Sequence, residues 1–450
     1  MNFDAREHPR ATASAQPAPR RVAVIDPYST GAQLVEVLAE HGVQTVAVLA
    51  NQPPTHRQPS AFAWSEYAHV HTYRGSLQTT AQALAALGVG AVTAGCESGV
   101  YLADQLARQM GVAGNDPATS DLRRQKYAMA QLLSAFGIAH PRTFVACSVR
   151  EARRAAHLIG AWPVVVKPLA SAGGDHVVFA RSMAELDRAA SAILGTSDVF
   201  HQANKAVICQ QYVAGPQFTI NTVSRSGRHR LVEVWLETRT SLTGHRMIYD
   251  RMDLLAPTDE RIPGLLAYVN RCLEALGFDH GPAHSDVILT ASGPVLIEAG
   301  ARLQPEDSVH LMRAATGSSH TDATVESLLD DEQLAGAERS PLYPYGRPVS
   351  RLFLQAPRDA AVGSTAVIDE LLAIPAVAGL VRPLRPGSEL EPTIDLATSP
   401  GTVYVIGRDR KSVQAACENV RALESNGLYA PLVTAPGRTG FGPAAVMEAA

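Results

Sequence analysis

Two carboxylates and three cations carry the clearest chemical signal in this 450-residue chain. Asp286 and Glu298 adjoin two apolar strand-like runs, Val287 to Leu289 and Val295 to Ile297, which are separated by Ala291-Ser292-Gly293. A three-residue hairpin loop with glycine last puts that glycine in the left-handed region. Residues then pair when their numbers sum to 584, which sets Asp286 opposite Glu298. Directly opposed strand residues have Cβ atoms about 5 Å apart, and like charges there repel. Such a pair asks for a cation, and oxygen ligands from one or two carboxylates suit Mg2+ carrying nucleotide phosphates. Arg302, four residues beyond Glu298, can neutralise a phosphoryl group beside that metal. The bland alternative is an exposed sheet face on which both acids are solvated.

The lysines are the other two cations. Only four of the 39 Lys plus Arg residues are lysine: Lys126, Lys167, Lys205 and Lys411. Lysine is a compact point charge that arginine does not replace, so a retained lysine is informative, although Lys205 and Lys411 sit in polar surroundings. Lys167 ends the apolar strand Val164 to Val166 and precedes the small-residue stretch Ala170 to Gly174. Successive backbone N–H groups in such a loop can converge on one anion. Lys126 lies with Arg123 and Arg124 near the start of a helix expected within Asp116 to Phe136. Cations at a helix N-terminus oppose the dipole unless an anion is near.

Further candidates come from the elements that must hold these groups. Ala206 to Val213 and Gln217 to Ile220 read as strands broken at Gly215-Pro216, and a strand followed by a break leaves backbone groups free to read a purine edge. Glu97, in the turn Gly95-Cys96-Glu97-Ser98-Gly99, stands at the carboxyl edge of a parallel sheet, where open α/β sheets place ligands. It can receive a substrate ammonium or simply favour a helix N-terminus. His284 shares the Asp286 face by strand parity. Residues 227–262 read as irregular and arginine-rich, with Trp235, Glu237, Arg239, His245, Arg246 and Tyr249 interspersed. They are expected to form a substrate-facing flap or a long solvated hairpin, with Trp235 and Tyr249 as pocket candidates.

The length allows two to four domains. With 46% hydrophobic and 18% charged residues, the composition is that of a soluble α/β protein, and a formal charge of −4 leaves no basic footprint for nucleic acid. No apolar run approaches the roughly 20 residues of a membrane span. Five scattered cysteines without CxxC spacing argue against a disulfide framework or zinc site and for a reducing cytoplasm. Residues 1–20 and 433–450 are expected to be disordered tails. From Arg21 to about Asn115, strands and amphipathic helices alternate as in a small doubly wound, parallel-sheet domain. Its first turn reads DPYSTG and not GxGxxG, so no dinucleotide site is assigned there. Strands near Ser350 to Leu354 and Val403 to Ile406, with a helix from Val413 to Leu423, suggest a closing α+β lobe.

KYAMAQLL, VVVKPLASAGGDHVV, VICQQYVAGPQF and HSDVILTASGPVLIEAGAR, in that order, resemble the ATP-grasp carboxylate–amine ligases, and among them the L-amino acid ligases that form dipeptides. GCESGVYLADQLARQMGVAGN and NVRALESNGLY also look like that subgroup, so the resemblance covers roughly residues 21–430. It implies an α/β ATP-grasp fold: a Rossmann-like N-terminal domain over 21–115, an ATP-grasp domain over 116–345 with a lid at about 140–210, and a C-terminal α+β lobe over 346–432. By the same resemblance Lys126 and Lys167 hold ATP phosphates, and Ser171, Ala172, Gly173 and Gly174 belong to the mobile phosphate loop. Gln210, Gln211, Tyr212 and Val213 form the adenine strand, and Gln217 contacts ribose. Asp286 and Glu298 hold Mg2+ (or Mn2+), and Arg302 grips the transferred phosphoryl.

The chain departs from that pattern in several places. Gln210 and Gln217 stand where relatives usually carry Glu, His176 where Gly is usual, and Gly300 where many ATP-grasp enzymes use an Asn as a metal ligand. Gln304-Pro305-Glu306-Asp307 replaces a Gly-Gly at the substrate end. The resemblance implies ATP-dependent amide formation through an acyl phosphate, with ADP and phosphate released. The expected partners are a small-molecule carboxylate and amine, with neither nucleic acid nor membrane; a homodimer is compatible with the sequence, which does not fix the oligomeric state. Two rivals remain: another ATP-grasp acyl transfer or carboxylation, and a nucleotide-binding protein with a decayed site.

Overall fold

The structure is a computed structural model describing residues 19–50, 64–169, 176–196, 203–240, 248–329 and 343–432. The expected tails lie outside the described residues, apart from Pro19 and Arg20, and so do Ser171, Ala172, Gly173 and Gly174.

Four short strands, β1 (Arg21–Ile25), β2 (Gln44–Leu49), β3 (His69–Thr72) and β4 (Ala91–Ala94), form a parallel sheet in the order β3-β2-β1-β4. Helices α1 (Leu34–Glu40), α2 (Leu77–Ala86) and α3 (Val100–Met110) flank it. The edge strand β3 escaped the sequence reading because its residues, HVHT, are mostly exposed and carry no apolar run. Backbone-to-backbone contact fixes the carboxyl edge of this sheet. A Cβ on Gly31 would lie 2.1 Å from the Gly95 carbonyl oxygen, and one on Gly99 would lie 2.4 Å from that of Ile25. The buried Asp26 adds a clasp, accepting from the Ser98 hydroxyl at 2.5 Å and the Ala50 N–H at 2.8 Å. The turn that carries Glu97 is therefore held on both sides.

The helix expected within Asp116 to Phe136 is α4 (Lys126–Ala135), preceded by a separate 3-10 segment (Pro117–Arg123). The three cations at this joint do not converge on one anion. Arg123 is fully buried, donating to Asp104 Oδ2 at 2.7 Å and to the carbonyls of Asp116 and Gly277 at 2.9 and 2.8 Å. It is a structural group that ties the first domain to the helix preceding the site hairpin.

Next come β5 (Thr143–Ala146), α5 (Val149–Ile159), β6 (Val164–Pro168), β7 (Val178–Ala180), α6 (Met183–Ile193) and β8 (Val207–Gln211). The strands make an antiparallel sheet, β5-β8-β6-β7, with its own core of Ile159, Val164, Val166, Leu186, Ile193 and Cys209. Serines cap both helices: Ser148 accepts from the Glu151 N–H, and Ser182 from the Glu185 N–H.

The largest sheet is built from β9 (Gln217–Arg225), β10 (Arg228–Thr240), β11 (Ile248–Leu254), β12 (Gly281–Thr290), β13 (Gly293–Gly300) and β14 (Val349–Phe353). Four strands follow in sequence: β15 (Ala360–Val362), β16 (Val377–Leu380), β17 (Glu389–Leu390) and β18 (Thr402–Ile406), before the closing β19 (Tyr429–Ala430). Among the described residues the large sheet has eight strands in the order β13-β12-β9-β10-β11-β14-β18-β16, and β17-β15-β19 is a small separate sheet. The C-terminal strands β14, β18 and β16 thus continue the central sheet through β11. Helix α7 (Ile262–Leu276) packs Leu265, Val269, Cys272 and Leu276 into a core shared with Phe218, Ile220 and Val287.

The described strands within residues 227–262 are neither flap nor solvated hairpin, and this corrects the reading of Trp235; residues 241–247 lie outside the described residues. They form β10 and β11, paired through Trp235↔Leu254 and Glu237↔Met252. Trp235 is fully buried, with its Nε1 donating to Glu233 at 2.7 Å and the Arg351 guanidinium 4.0 Å from its ring centroid. It is sealed off from any substrate. His245 and Arg246 lie outside the described residues. The described cysteines are free thiols, and among the described residues no helix is long and apolar enough to cross a membrane.

Removing Arg123 would leave the Asp104 carboxylate buried and unpaired, which costs about 3–5 kcal/mol. Arg123→Met is therefore expected to lower stability in urea denaturation by that amount. A loss under about 1 kcal/mol, typical of an exposed pair, would show that the pair does not hold the first domain in place.

Candidate active site

The hairpin β12–β13 reaches the expected pairing by an unexpected route. Its loop has two residues, with Thr290 paired to Gly293 and numbers summing to 583 as far as Val287↔Leu296. The register then shifts, so that Asp286 pairs with Glu298, Ser285 with Ala299 and His284 with Gly300. Ile297 is the extra residue of a β-bulge. Without it Asp286 would oppose Ile297, and Glu298 would point to the other face.

Asp286, which is buried, and Glu298, which is partly exposed, therefore share one face of the sheet with unequal partners. Glu298 Oε2 lies 2.8 Å from Lys126 Nζ. Burial alone would raise its carboxyl, but Lys126, Lys167 and Arg302 outweigh that and hold it well below the usual carboxylate range. Asp286 is pushed up by burial and by the negative charge of Glu237 and Glu298, with Arg239 and a hydrogen bond from Thr219 opposing. The Thr219 hydroxyl donates to Asp286 Oδ1 at 2.9 Å, and His284 Nε2 stands 3.6 Å from that oxygen. Burial and Arg302 keep His284 neutral at ordinary pH, while its Nδ1 meets Asn221 Oδ1 at 3.2 Å.

This face suits a hard divalent cation: two oxygen-donor side chains face each other, and crowding of like charge opposes ionisation of Asp286. Among the described residues no set of three His, Cys, Asp or Glu side chains is arranged for a metal. Mg2+ needs only one or two carboxylates, with water and phosphate completing its shell.

Lys167 is buried at the end of β6 and donates to Gln210 Oε1 at 2.8 Å, while Gln210 Nε2 donates to the Thr143 hydroxyl at 3.0 Å. Glutamine thus accepts from the lysine as a glutamate would, without compensating its charge. Burial, followed by repulsion from Lys126, brings Lys167 down to about 7. Gln211, on the opposite strand face, accepts from Arg142 Nε at 3.2 Å. Tyr212 is exposed, edge-on to Phe179, and Val213 lies just beyond the strand. The break at Gly215 has a spatial cause: a Cβ there would lie 2.3 Å from the Leu289 carbonyl oxygen of the site hairpin. Gln217 Nε2 donates to Glu237 Oε2 at 3.3 Å. His176 takes a left-handed φ of 50°, the conformation glycine adopts most readily.

Glu97 accepts from Arg124 Nε at 3.1 Å and from Arg302 Nε at 3.2 Å. Tyr249 carries the Arg239 guanidinium 4.4 Å from its ring centroid and packs on Phe353. The segment that replaces Gly-Gly is braced on both sides. Thr30 donates to the Gln304 carbonyl at 2.7 Å, and Gln33 Nε2 to that of Asp307 at 2.8 Å. Arg351 and the Tyr404 hydroxyl donate to Asp307 Oδ1 at 2.8 and 3.0 Å.

Glu237 and Arg239 were not singled out from the sequence as site residues, yet both stand on the acid-bearing face. They form an ion pair, its Glu237 end fully buried, whose charges act on Asp286. The signal that identifies them is the alternation Glu233, Trp235, Glu237, Arg239 along one strand face.

Comparison with known proteins agrees with this geometry. Residues 123–219 match the RimK-like ATP-grasp domain. The chain is 26% identical over 417 residues, 92% of its length and 97% of the relative's, to dapdiamide A synthase of Enterobacter agglomerans. Among solved structures, L-amino acid ligase from Bacillus licheniformis superposes with a TM-score of 0.72 at 16% identity, covering 92% of this chain and all of the other. The biotin carboxylase domain of 2-oxoglutarate carboxylase from Hydrogenobacter thermophilus, a complex with MgADP, gives 0.63 at 14% identity, covering 92% of this chain and 91% of the other. The chain has the ATP-grasp fold, and the expectation of an ATP-grasp ligase is borne out by these similarities.

A polyphosphate anion at Lys167 favours its charged form. Above pH about 7, where the free site has lost that proton, binding must take one up. The affinity for a nonhydrolysable nucleotide is expected to fall as pH rises from 7 to 9, with proton uptake seen by calorimetry in buffers of different ionisation enthalpy. Lys167→Arg, which stays charged, should flatten that dependence. A flat wild-type profile without proton uptake would show that Lys167 is already charged in the free site and that burial does not depress it.

Proposed function

We propose that this ATP-grasp protein is an ATP-dependent carboxylate–amine ligase that joins an amino acid or related small carboxylic acid to an amino acid or amine. The observation that carries the reading is Asp286 facing Glu298 across the hairpin, with Lys126 on the second acid and Arg302 four residues further on. The similarity to dapdiamide A synthase over nearly the whole chain supports the reaction class.

In the proposed reaction a carboxylate oxygen of the first substrate attacks the γ-phosphorus of ATP, and the bond to the β-phosphate oxygen breaks to release ADP. The amine nitrogen of the second substrate then attacks the acyl carbon. The C–O bond to phosphate breaks, and the nitrogen loses its proton. Phosphoryl transfer of this kind is mainly positioning and charge neutralisation. Lys126 and Lys167 are assigned to the ATP phosphates, and Arg239 faces the same charge from β10. Gln210 orients Lys167 through its 2.8 Å contact. Arg302 is assigned to the phosphoryl oxygens of the acyl phosphate. Asp286 and Glu298 would hold Mg2+, which when bound neutralises phosphate oxygens. Gln211, Tyr212 and Val213 border the adenine, and Gln217 the ribose. The phosphate-loop assignments of Ser171, Ala172, Gly173 and Gly174 rest on the sequence resemblance. His284 and Tyr249 are assigned to the substrate pocket from their place beside Asp286.

Incubating the protein with Mg-ATP and pairs of amino acids and amines should release phosphate for particular pairs, with the amide identified by mass spectrometry. Glu298→Ala is expected to lower turnover at least about 100-fold, with the circular dichroism of the folded protein retained. Full amide yield from that folded variant would remove the metal assignment. Phosphate release that requires bicarbonate and no amine would instead place the chain among the carboxylases.

A further inference from the structure

The turn Gly95-Cys96-Glu97-Ser98-Gly99 is built with more constraint than a helix start requires. Gly95 and Gly99 are both pressed against the β1 loop, where a Cβ would come within 2.5 Å of the Asp26 carbonyl oxygen and 2.4 Å of that of Ile25. The Ser98 hydroxyl is tied to the buried Asp26 at 2.5 Å. The product of this rigidity is the place of one half-buried carboxylate. Glu97 Oε2 meets Arg302 Nε at 3.2 Å, across 205 residues of sequence, while its Oε1 meets Arg124 Nε at 3.1 Å.

Gly300 completes the arrangement. It lies in β13 without a left-handed φ, so no backbone conformation demands glycine there. A Cβ at 300 would lie 3.2 Å from Glu97 Oε2 and 3.6 Å from Arg302 Nε. What glycine supplies is room. With Nε engaged by Glu97 and Nη1 donating to the Leu303 carbonyl at 3.1 Å, the guanidinium plane is fixed. Among the described residues Nη2 has no partner, and it remains to meet an anionic oxygen.

We infer that Glu97 is a positioning residue that holds Arg302 from the N-terminal domain, and that Gly300 is the space that admits it. The inference rests on the proposed role of Arg302 and adds how that role depends on another domain. A carboxylate already bridged by two guanidiniums is a poor receptor for a substrate ammonium, so Glu97 acts through Arg302. Misplacing a group that neutralises charge at the reacting centre lowers turnover, while ATP binding, carried by Lys126 and Lys167, is left intact.

The test compares wild type with Glu97→Gln, Glu97→Asp, Arg302→Lys and the double variant Glu97→Gln/Arg302→Lys, reading kcat, each KM and melting temperature. Glu97→Gln is expected to lower kcat about 10- to 100-fold with the KM for ATP unchanged, and Glu97→Asp should recover part of the loss. In the Arg302→Lys background, Glu97→Gln should cost less than about threefold more, because the two residues act as one unit. Fully multiplicative losses, or a raised amine KM with kcat unchanged, would overturn the inference. A second readout needs no turnover: phenylglyoxal labelling of Arg302, followed by peptide mass spectrometry. It should accelerate in Glu97→Gln and in Gly300→Ala, whose methyl displaces the carboxylate, and unchanged labelling in both would also overturn it. Faster labelling in a protein that makes no amide from any substrate pair would uphold the positioning and remove the ligase reading.

Discussion

One extra residue on one strand decides which way Glu298 points. Side chains on a strand alternate between faces, so a one-residue slip turns every later side chain over. The bulge at Ile297 produces that slip between Leu296 and Glu298 and brings two acids onto the same sheet face. The polar groups around them answer two like charges that face each other across the hairpin, Asp286 buried and Glu298 partly so. Lys126 sits on Glu298, and Thr219 donates to Asp286. Glu237 and Arg239 add a further balanced pair from β10. The two acids end with opposite displacements, Glu298 held ionised by cations and Asp286 pushed toward its neutral form. That asymmetry is what an added divalent charge would relieve.

The same sheet carries a second charged cluster that is sealed. Arg351 lies fully buried between the rings of Trp235 and Tyr404, paired to Asp307 at 2.8 Å. Glu233, whose carboxyl is pushed up by burial and by Asp307, stands 3.6 Å from the same guanidinium. A buried ion pair is weak evidence of net stabilisation, because desolvation opposes the attraction. Its geometric consequence is definite: Arg351 and Tyr404 hold Asp307, and with it the segment that leaves the site after Arg302. Asn221 joins the two clusters, meeting His284 on one side and Glu233 and Gln304 on the other.

That segment is where the parts of the chain meet. Thr30 and Gln33 of the N-terminal domain hold Gln304, Asp307 and Val309, while Arg382 and Thr402 hold Glu306 in a left-handed conformation at φ 59°. The N-terminal domain also reaches Arg302 through Glu97. The expectation that residues 304–307 border the substrate end is therefore joined by a structural one. The N-terminal domain grips backbone groups of this segment, whereas the Glu306 and Asp307 side chains tie it to Arg382, Thr402, Arg351 and Tyr404, which small residues at 306 and 307 would not do.

Local signals made much of this legible in the sequence. Apolar runs ending in charged residues marked β6, β12 and β13; the glycine-flanked turn marked Glu97; and the scarcity of lysine drew attention to Lys126 and Lys167. The Asp286–Glu298 pairing was also foreseen, although a two-residue turn plus a bulge produces it where a three-residue loop was expected. What escaped was long-range. Residues 227–262 looked irregular because charges alternate along β10, and only its burial between β9 and β11 turns them into an internal row. Arg123, Arg124 and Lys126 stood together in sequence, yet they point at Asp104, Glu97 and Glu298. The sequence by itself determined most of the elements and the ionisable groups available, since propensity and periodicity act over a few residues. Which charges from distant segments face each other was decided only by tertiary packing, because partners such as Glu97 and Arg302 come from different domains and meet through burial and register.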